Sequence, residues 1–422
     1  MSKIKVQVDE LVKGMYICEL DRPWSETTFL FQGFRITNEQ EIEALQNTCS
    51  FVYVDQGKSK IHVSAKLEYF NPSTTQKQYE TLEPLHDIDV KIIPYPSKFE
   101  DEFPRAKTVY MQASEKVNQM IKNLRLGQSL DVFTVKTTVQ ELTGSILRNP
   151  DALKLLCAIQ ERDQAAANHA LHVCVLTLAF AYYLGFKNDV IQELGIGALL
   201  HDIGETKLPE ELFWSSEIKD EKDREELKKH VEYGVEIIQN TPSLPPVVLD
   251  IVRDHHERLN GTGYPRHACG SEINYNAMLV SMVDVYDNVT MGYEGKKQIS
   301  CTAALKSMYD WRDELFQSEL IEHFIQCLGI YPIGSVVKLN TGEVGIVITF
   351  DDCSRLTPRV MLLLDKNRKQ YDTPRILNLS QFKDSDDRFI YEIERVVSPE
   401  EYGIDIRHHI LRELYSKQAV NQ

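Results

Sequence analysis

Apolar positions change their spacing twice along the chain. At the N-terminal end Val6-Gln-Val8, Met15-Tyr-Ile17 and Phe51-Val-Tyr-Val54 are short strand-like runs, and Asn38 to Leu45 suits a helix opened by an asparagine cap. Residues 1 to about 65 thus predict a small α/β module. From 66 to about 100 the chain is polar and broken by Pro72, Pro84, Pro94 and Pro96, which predicts a linker or irregular loop. Helical spacing returns from Phe103 to about Gly127, so 66–130 reads as linker and connecting helices. Two further helices are predicted over Thr137 to Arg148 and Ala152 to Gln160. The stretch 131–330 has no convincing strand and predicts an all-α domain. After Tyr331-Pro332 the period shortens again. Ser335 to Leu339, Val344 to Phe350, Arg359 to Leu364 and Phe389 to Glu392 read as strands, and Ile406 to Lys417 as a last helix. Residues 331–422 therefore predict a small β module with a C-terminal helix, in a multidomain chain.

Composition narrows the setting. Apolar residues are 42% and charged residues 26% of 422, a globular balance. The longest apolar run, Val173 to Phe186, is 14 residues and too short to span a bilayer. The charged N-terminus lacks a signal-peptide core, and the eight cysteines form no Cys-x-x-Cys pair. Reduced thiols and a cytoplasmic location follow as expectations. With 47 basic and 63 acidic residues the formal charge is −16, which argues against binding long nucleic acid. A small anionic substrate needs local cations or metals.

Six of the twelve histidines fall between His169 and His256. His169, the pair His201-Asp202, His230, the pair His255-His256 and Asp284 follow one another at intervals of about 25 to 32 residues, one helix and its connection each. A helical domain can bring such residues to one interior point. His169 is in helical phase with Val173, Leu176 and Phe180, whereas His172 is off that phase and reads as structural. His201-Asp202 and Asp284 end apolar segments, where buried charge is costly unless paired or metal-bound. Imidazole and carboxylate without thiolate suit iron or manganese, with zinc, cobalt or nickel also compatible. Seven ligands exceed the need of one ion and point to two divalent transition metals, sharing a carboxylate and a bridging hydroxide.

His201-Asp-Ile-Gly204 together with His255-His-Glu-Arg-Leu-Asn-Gly-Thr-Gly-Tyr-Pro265 resembles the signature of the HD-GYP family. Gly14-Met-Tyr16 and Trp24 through Gly33-Phe34 resemble the small domain of unknown function that often precedes it, and Gly334 to Leu379 resembles the family's β tail. The resemblance implies an HD-type metal-binding helical fold in a bacterial protein. It implies a phosphodiesterase that hydrolyses cyclic di-GMP to pGpG or GMP, or, as in some members, 3′,3′-cyclic GMP-AMP. It maps the metal ligands onto His169, His201, Asp202, His230, His255, His256 and Asp284, with Asp202 bridging. The glutamate that holds a third metal in some members is Ala165 here, which leaves two.

The departures concern substrate. The family's lysine after His-Asp-Ile-Gly is Glu205, with Lys207 two residues on; Asp202, Glu205 and Lys207 are the candidate catalytic residues. A Lys-Pro-Gly stretch becomes Trp214-Ser-Ser-Glu217, and Arg-Pro-Tyr-Lys becomes Tyr293-Glu-Gly-Lys296. Arg258, Gly263, Tyr264, Pro265, Tyr293 and Lys296 are the candidate substrate-binding residues. The Gly-Tyr-Pro segment is first a turn, with glycines at positive φ; the resemblance adds docking of a diguanylate cyclase partner. Three readings stay open: a cyclic-dinucleotide phosphodiesterase, another HD-type phosphohydrolase, and a catalytically weak effector that binds a cyclic dinucleotide.

Overall fold

In the first strand Ile4 and Val6 are buried while Lys3 and Gln7 are exposed, the alternation a one-sided sheet requires. The computed structural model describes residues 3–21, 34–36, 39–55, 59, 95–159, 165–213, 220–291, 299–351, 354–383, 389–407 and 409–410. They fall into two units, Met1–Tyr79 and Glu80–Gln422. Most of the expected linker, Trp24, Trp214 to Glu217, Tyr293 to Lys296 and the end of the expected last helix lie outside the described residues.

In the first unit β1 (Lys3–Gln7), β2 (Tyr16–Leu20), β3 (Phe34–Arg35) and β4 (Phe51–Asp55) form an antiparallel sheet in the order β1-β4-β2-β3. Helix α1 (Glu39–Thr48) lays Ile42 and Leu45 in the same core as Ile17, Val52 and Val54.

The second unit begins with α2 (Phe99–Arg125), which starts four residues before its expected position and carries Pro104 inside it. Buried Glu102 on its first turn accepts hydrogen bonds from Ser145 and Arg148 and ties it to α3 (Val132–Arg148). Asp131 caps α3, and Asn149, followed by Pro150, caps α4 (Pro150–Ala158). There follow α5 (Ala165–Tyr183), α6 (Asn188–Leu200), α7 (Glu210–Phe213), α8 (Glu221–Lys228), α9 (His230–Gln239), α10 (Pro246–Asp254), α11 (Tyr275–Met291), α12 (Cys301–Asp310) and α13 (Ser318–Leu328). Helix α5 packs against α2, α4, α6, α11 and α13 and is buried on every side, from Leu171 through Ala181. The helical phase that set His169 apart from His172 therefore decides nothing: both lie in the interior. Asp284, expected at the end of an apolar segment, lies in mid-α11.

The chain then forms an antiparallel sheet in the order β8-β7-β6-β5-β9, with β5 (Val336–Leu339), β6 (Val344–Asp351), β7 (Ser354–Leu364), β8 (Gln370–Asn378) and β9 (Ile393–Val396). Two expectations are corrected. Strand β8 went unpredicted because it is polar and contains Pro374, which an edge strand tolerates. The strand expected over Phe389 to Glu392 is β9, a few residues later; Phe389 makes only an isolated bridge to Lys383. A short helix α14 (Pro399–Tyr402) ends the sheet module, and residues 406–407 and 409–410 open the expected last helix. Asp151 of α4 binds this sheet to the helices: its buried carboxylate pairs with Lys154 at 2.6 Å and accepts from Thr349 Oγ1 at 2.7 Å and Phe350 N at 3.2 Å.

Candidate metal centre

Seven side chains from five stretches of chain meet inside the helical unit. His169 comes from α5, His201 and Asp202 from the end of α6, His230 from the start of α9, His255 and His256 from the end of α10, and Asp284 from α11. Glycine makes one of these approaches feasible. A Cβ on Gly204 would stand 1.8 Å from the His230 carbonyl oxygen and 2.4 Å from Gly234 N, so the turn after Asp202 reaches α9 only with glycine there.

The donors fall into two groups, Asp202/His230/His255/His256 and His169/His201/Asp284, each with its ligand atoms within 4.8 Å of one another. Asp202 joins them. Its Oδ1 lies 3.3 Å from His230 Nε2 and 3.2 Å from His255 Nε2, while its Oδ2 lies 3.1 Å from His201 Nε2 and 3.6 Å from His169 Nε2. Asp284 Oδ1 is 3.1 Å from His169 Nε2.

The outward nitrogens fix the tautomers. Nδ1–H of His201 donates to Ala198 O at 2.8 Å, that of His230 to Leu227 O at 2.7 Å and that of His255 to Val252 O at 3.0 Å. His169 Nδ1–H donates to Asp287 Oδ2 at 2.8 Å. Each ring then turns an Nε2 lone pair inward, the arrangement of metal-bound histidine. His230 Nε2 stands 3.3 Å from His255 Nε2 and 3.2 Å from His256 Nε2. The lone pairs of His230 and His255, that close, repel one another unless a cation lies between them. His201 Nε2, Asp202 Oδ1 and Asp284 Oδ2 are buried without a well-formed hydrogen bond. The donor set fits divalent metal on these grounds.

Charge makes the same demand. Burial disfavours protonation of His201, yet Asp202 and Asp284 beside it carry its pKa up to about 10. Burial likewise opposes a charge on His169 and His230, and hydrogen bonds to Asp284 and Asp287, and to Asp202, outweigh it and raise both. Burial would raise Asp202 and Asp284, but the histidines hold both below the ordinary carboxylate range. For His255 and His256 burial wins, reinforced by the neighbouring rings, and both pKa values fall. The carboxylates thus call for positive charge at their centre, which bound cations supply.

Around the centre the other candidates separate. Glu205 lies half-buried on the 3₁₀ turn Ile203–Lys207, close enough for its charge to raise His230, while Lys207 is exposed. Tyr264 stacks on His256, ring centroids 4.5 Å apart at 26°, and its backbone N–H donates to His256 O. A Cβ on Gly263 would lie 2.4 Å from that same oxygen, so Gly263 serves close approach; the positive φ expected of this loop's glycines is found at Gly261, +75°. Pro265 follows a cis peptide bond. Arg258, a candidate substrate-binding residue, gives its Nη1 to His255 O, Glu257 O and Ser281 Oγ at 3.0, 2.8 and 2.6 Å. Buried Glu257 accepts from Arg266 N and Ala268 N and closes the loop.

The sequence reading missed Asp287. It lies three residues after Asp284 on α11, and its spacing from Asp284, one helical turn, was the signal available.

Residues 3–135 match a family described as a domain of unknown function, DUF3391, and residues 155–320 match an HD domain. Over 386 residues, 90% of each chain, the protein is 25% identical to a cyclic di-GMP phosphodiesterase of Pseudomonas aeruginosa. A 3′3′-cGAMP-specific phosphodiesterase of Vibrio cholerae is 23% identical over 53% of this chain and 41% of its own. Among solved structures, an HDG"Y"P protein from Bdellovibrio bacteriovorus aligns at 20% identity and a TM-score of 0.46, covering 77% of this chain and 99% of that one. No helix among the described residues is long and apolar enough to cross a membrane.

Proposed function

We propose that this chain, which matches an HD domain and is similar to cyclic di-GMP phosphodiesterases, hydrolyses cyclic di-GMP to pGpG or GMP at a pair of divalent metals. One observation carries the two-metal reading: the two oxygens of Asp202 face different ligand groups. His230, His255 and His256 would hold one ion, His169, His201 and Asp284 the other, and Asp202 both. All-nitrogen-and-oxygen donors favour iron or manganese. When bound, such ions supply Lewis acidity toward the phosphodiester and lower the pKa of water.

The protein's own groups prepare that chemistry. The Nδ1–H bonds of His169, His201, His230 and His255 aim each Nε2 inward. The stacked ring of Tyr264 keeps water from one face of His256 and offers an aromatic edge to a base. Glu205 sets the charge at the rim beside His230, and exposed Lys207 is available to a phosphate. Arg258 acts by positioning the His255-His256 turn. Tyr293 and Lys296 stand where the family carries its phosphate-binding cations, and we assign them substrate contact on the sequence alone.

Steady-state hydrolysis of cyclic di-GMP and of 3′,3′-cyclic GMP-AMP by manganese- or iron-loaded protein tests the proposal. Turnover with a higher kcat/KM for cyclic di-GMP is expected. A preference for the hybrid nucleotide would change the substrate and keep the reaction; binding without turnover would leave an effector.

A further inference from the structure

We propose that Tyr110, on α2 within the segment matching the domain of unknown function, is a positioning residue of the metal centre that acts through His172 and Asp287 on His169. The inference rests on the metal-centre reading above. It assigns a role to a part of the chain that lies before the HD-domain match.

The four side chains form one buried file across three helices. The Tyr110 hydroxyl lies 3.1 Å from His172 Nε2, and His172 Nδ1 is 3.4 Å from Asp287 Oδ1. The other oxygen of Asp287 accepts from His169 Nδ1 at 2.8 Å. Tyr110 is 2% exposed, His172 1% and Asp287 4%, so water does not substitute for a missing partner. The Asp287 carboxylate can only accept, so neutral His172 carries its proton on Nδ1 and its Nε2 accepts from the Tyr110 hydroxyl. The carboxylate is thereby fixed with one oxygen toward each histidine. It holds His169 as the Nδ1–H tautomer, Nε2 facing Asp284 and Asp202. Every donor points along one direction, and the file ends at a candidate ligand.

A second contact of α2 reaches the opposite side of the centre. Arg125, 15 residues and about 22 Å further along the helix, donates to Thr206 O and Leu208 O of the turn that follows Asp202. One helix thus braces both the His169 side and the Asp202 side. The segment of unknown function includes a structural part of the hydrolytic unit.

The test uses full-length protein with two near-isosteric changes, Tyr110→Phe and Asp287→Asn, titrated with Mn(II) alone and then with a chelator, metal being counted per chain. Wild type is expected to hold two ions. Asp287→Asn should weaken one of the two by about 10–100-fold, as loss of an outer partner of a ligating histidine does. Tyr110→Phe should weaken the same ion by about 2–10-fold, the range of a single neutral hydrogen bond. In Tyr110→Phe, kcat at limiting Mn(II) should fall, recover with excess Mn(II) and leave KM unchanged, a rescue by metal that a merely structural loss would not show. Two ions of wild-type affinity in both variants would overturn the inference and spare the proposed function. A wild-type chain that binds no Mn(II) would sink both.

Discussion

The guanidinium of Arg258 donates to Ser281 Oγ at 2.6 Å and fastens the turn after α10 to α11, the helix that carries Asp284. This side chain adds to the packing of α10 on α11 a polar tie between two ligand-bearing elements. Arg258→Ala is expected to destabilise the protein by about 1.5–3 kcal/mol, the range of a hydrogen bond to a charged group. Metal occupancy and kcat should fall with it, while KM for the dinucleotide stays near wild type. Urea unfolding and metal analysis check this; a raised KM with full metal content and unchanged stability would return Arg258 to substrate binding.

Much of the fold was legible because burial in it is one-sided. Strand β1 alternates and α3 carries a cap and an apolar stripe, although it begins five residues before its predicted start. Legibility failed where that asymmetry vanishes. Helix α5 is apolar on all sides and has no phase to read, and β8 is a polar edge that presents little apolar pattern. At the centre the pairs His201-Asp202 and His255-His256 were distinctive as sequence. Asp287 offered only its one-turn spacing from Asp284, and Tyr110 nothing: 177 residues apart, they become meaningful together only when α2 and α11 both reach α5.

Removing the shared carboxylate should disable both ligand groups at once. Asp202→Ala is expected to abolish turnover and lower bound metal in both groups, with helix content retained. Elemental analysis of protein purified without oxygen, beside its far-UV circular dichroism, reads both. A fully active Asp202→Ala protein would end the two-metal reading.

Glu205 places negative charge near His230, at the edge a phosphodiester must approach. Glu205→Lys replaces repulsion with attraction, so KM should fall several-fold with kcat little changed. The effect should shrink as salt is raised, since partly exposed charges are screened. Loss of kcat or of metal instead would make Glu205 an acid or a ligand.

Asp151 is fully buried, and Lys154 beside it is 5% exposed along its side chain. Asp151→Ala leaves that ammonium without its carboxylate and removes the acceptor of Thr349 and Phe350, at an expected cost of about 3–5 kcal/mol. The double change Asp151→Leu with Lys154→Met should recover most of the loss, because it leaves no uncompensated charge. Chemical denaturation of the single and double variants decides; equal stability of the two would show that the ion pair is not what joins β6 to α4.

Because Asp202 offers one oxygen to each ligand group, whatever fills one group fixes the orientation of the carboxylate for the other. Occupancy of the first then alters affinity at the second, and by thermodynamic reciprocity the second alters the first by the same factor. Half-filled protein is a third species with its own ligand geometry, not an average of empty and full. On the two-metal reading, a binding isotherm for this chain would describe a linked pair that cannot be split into two independent constants.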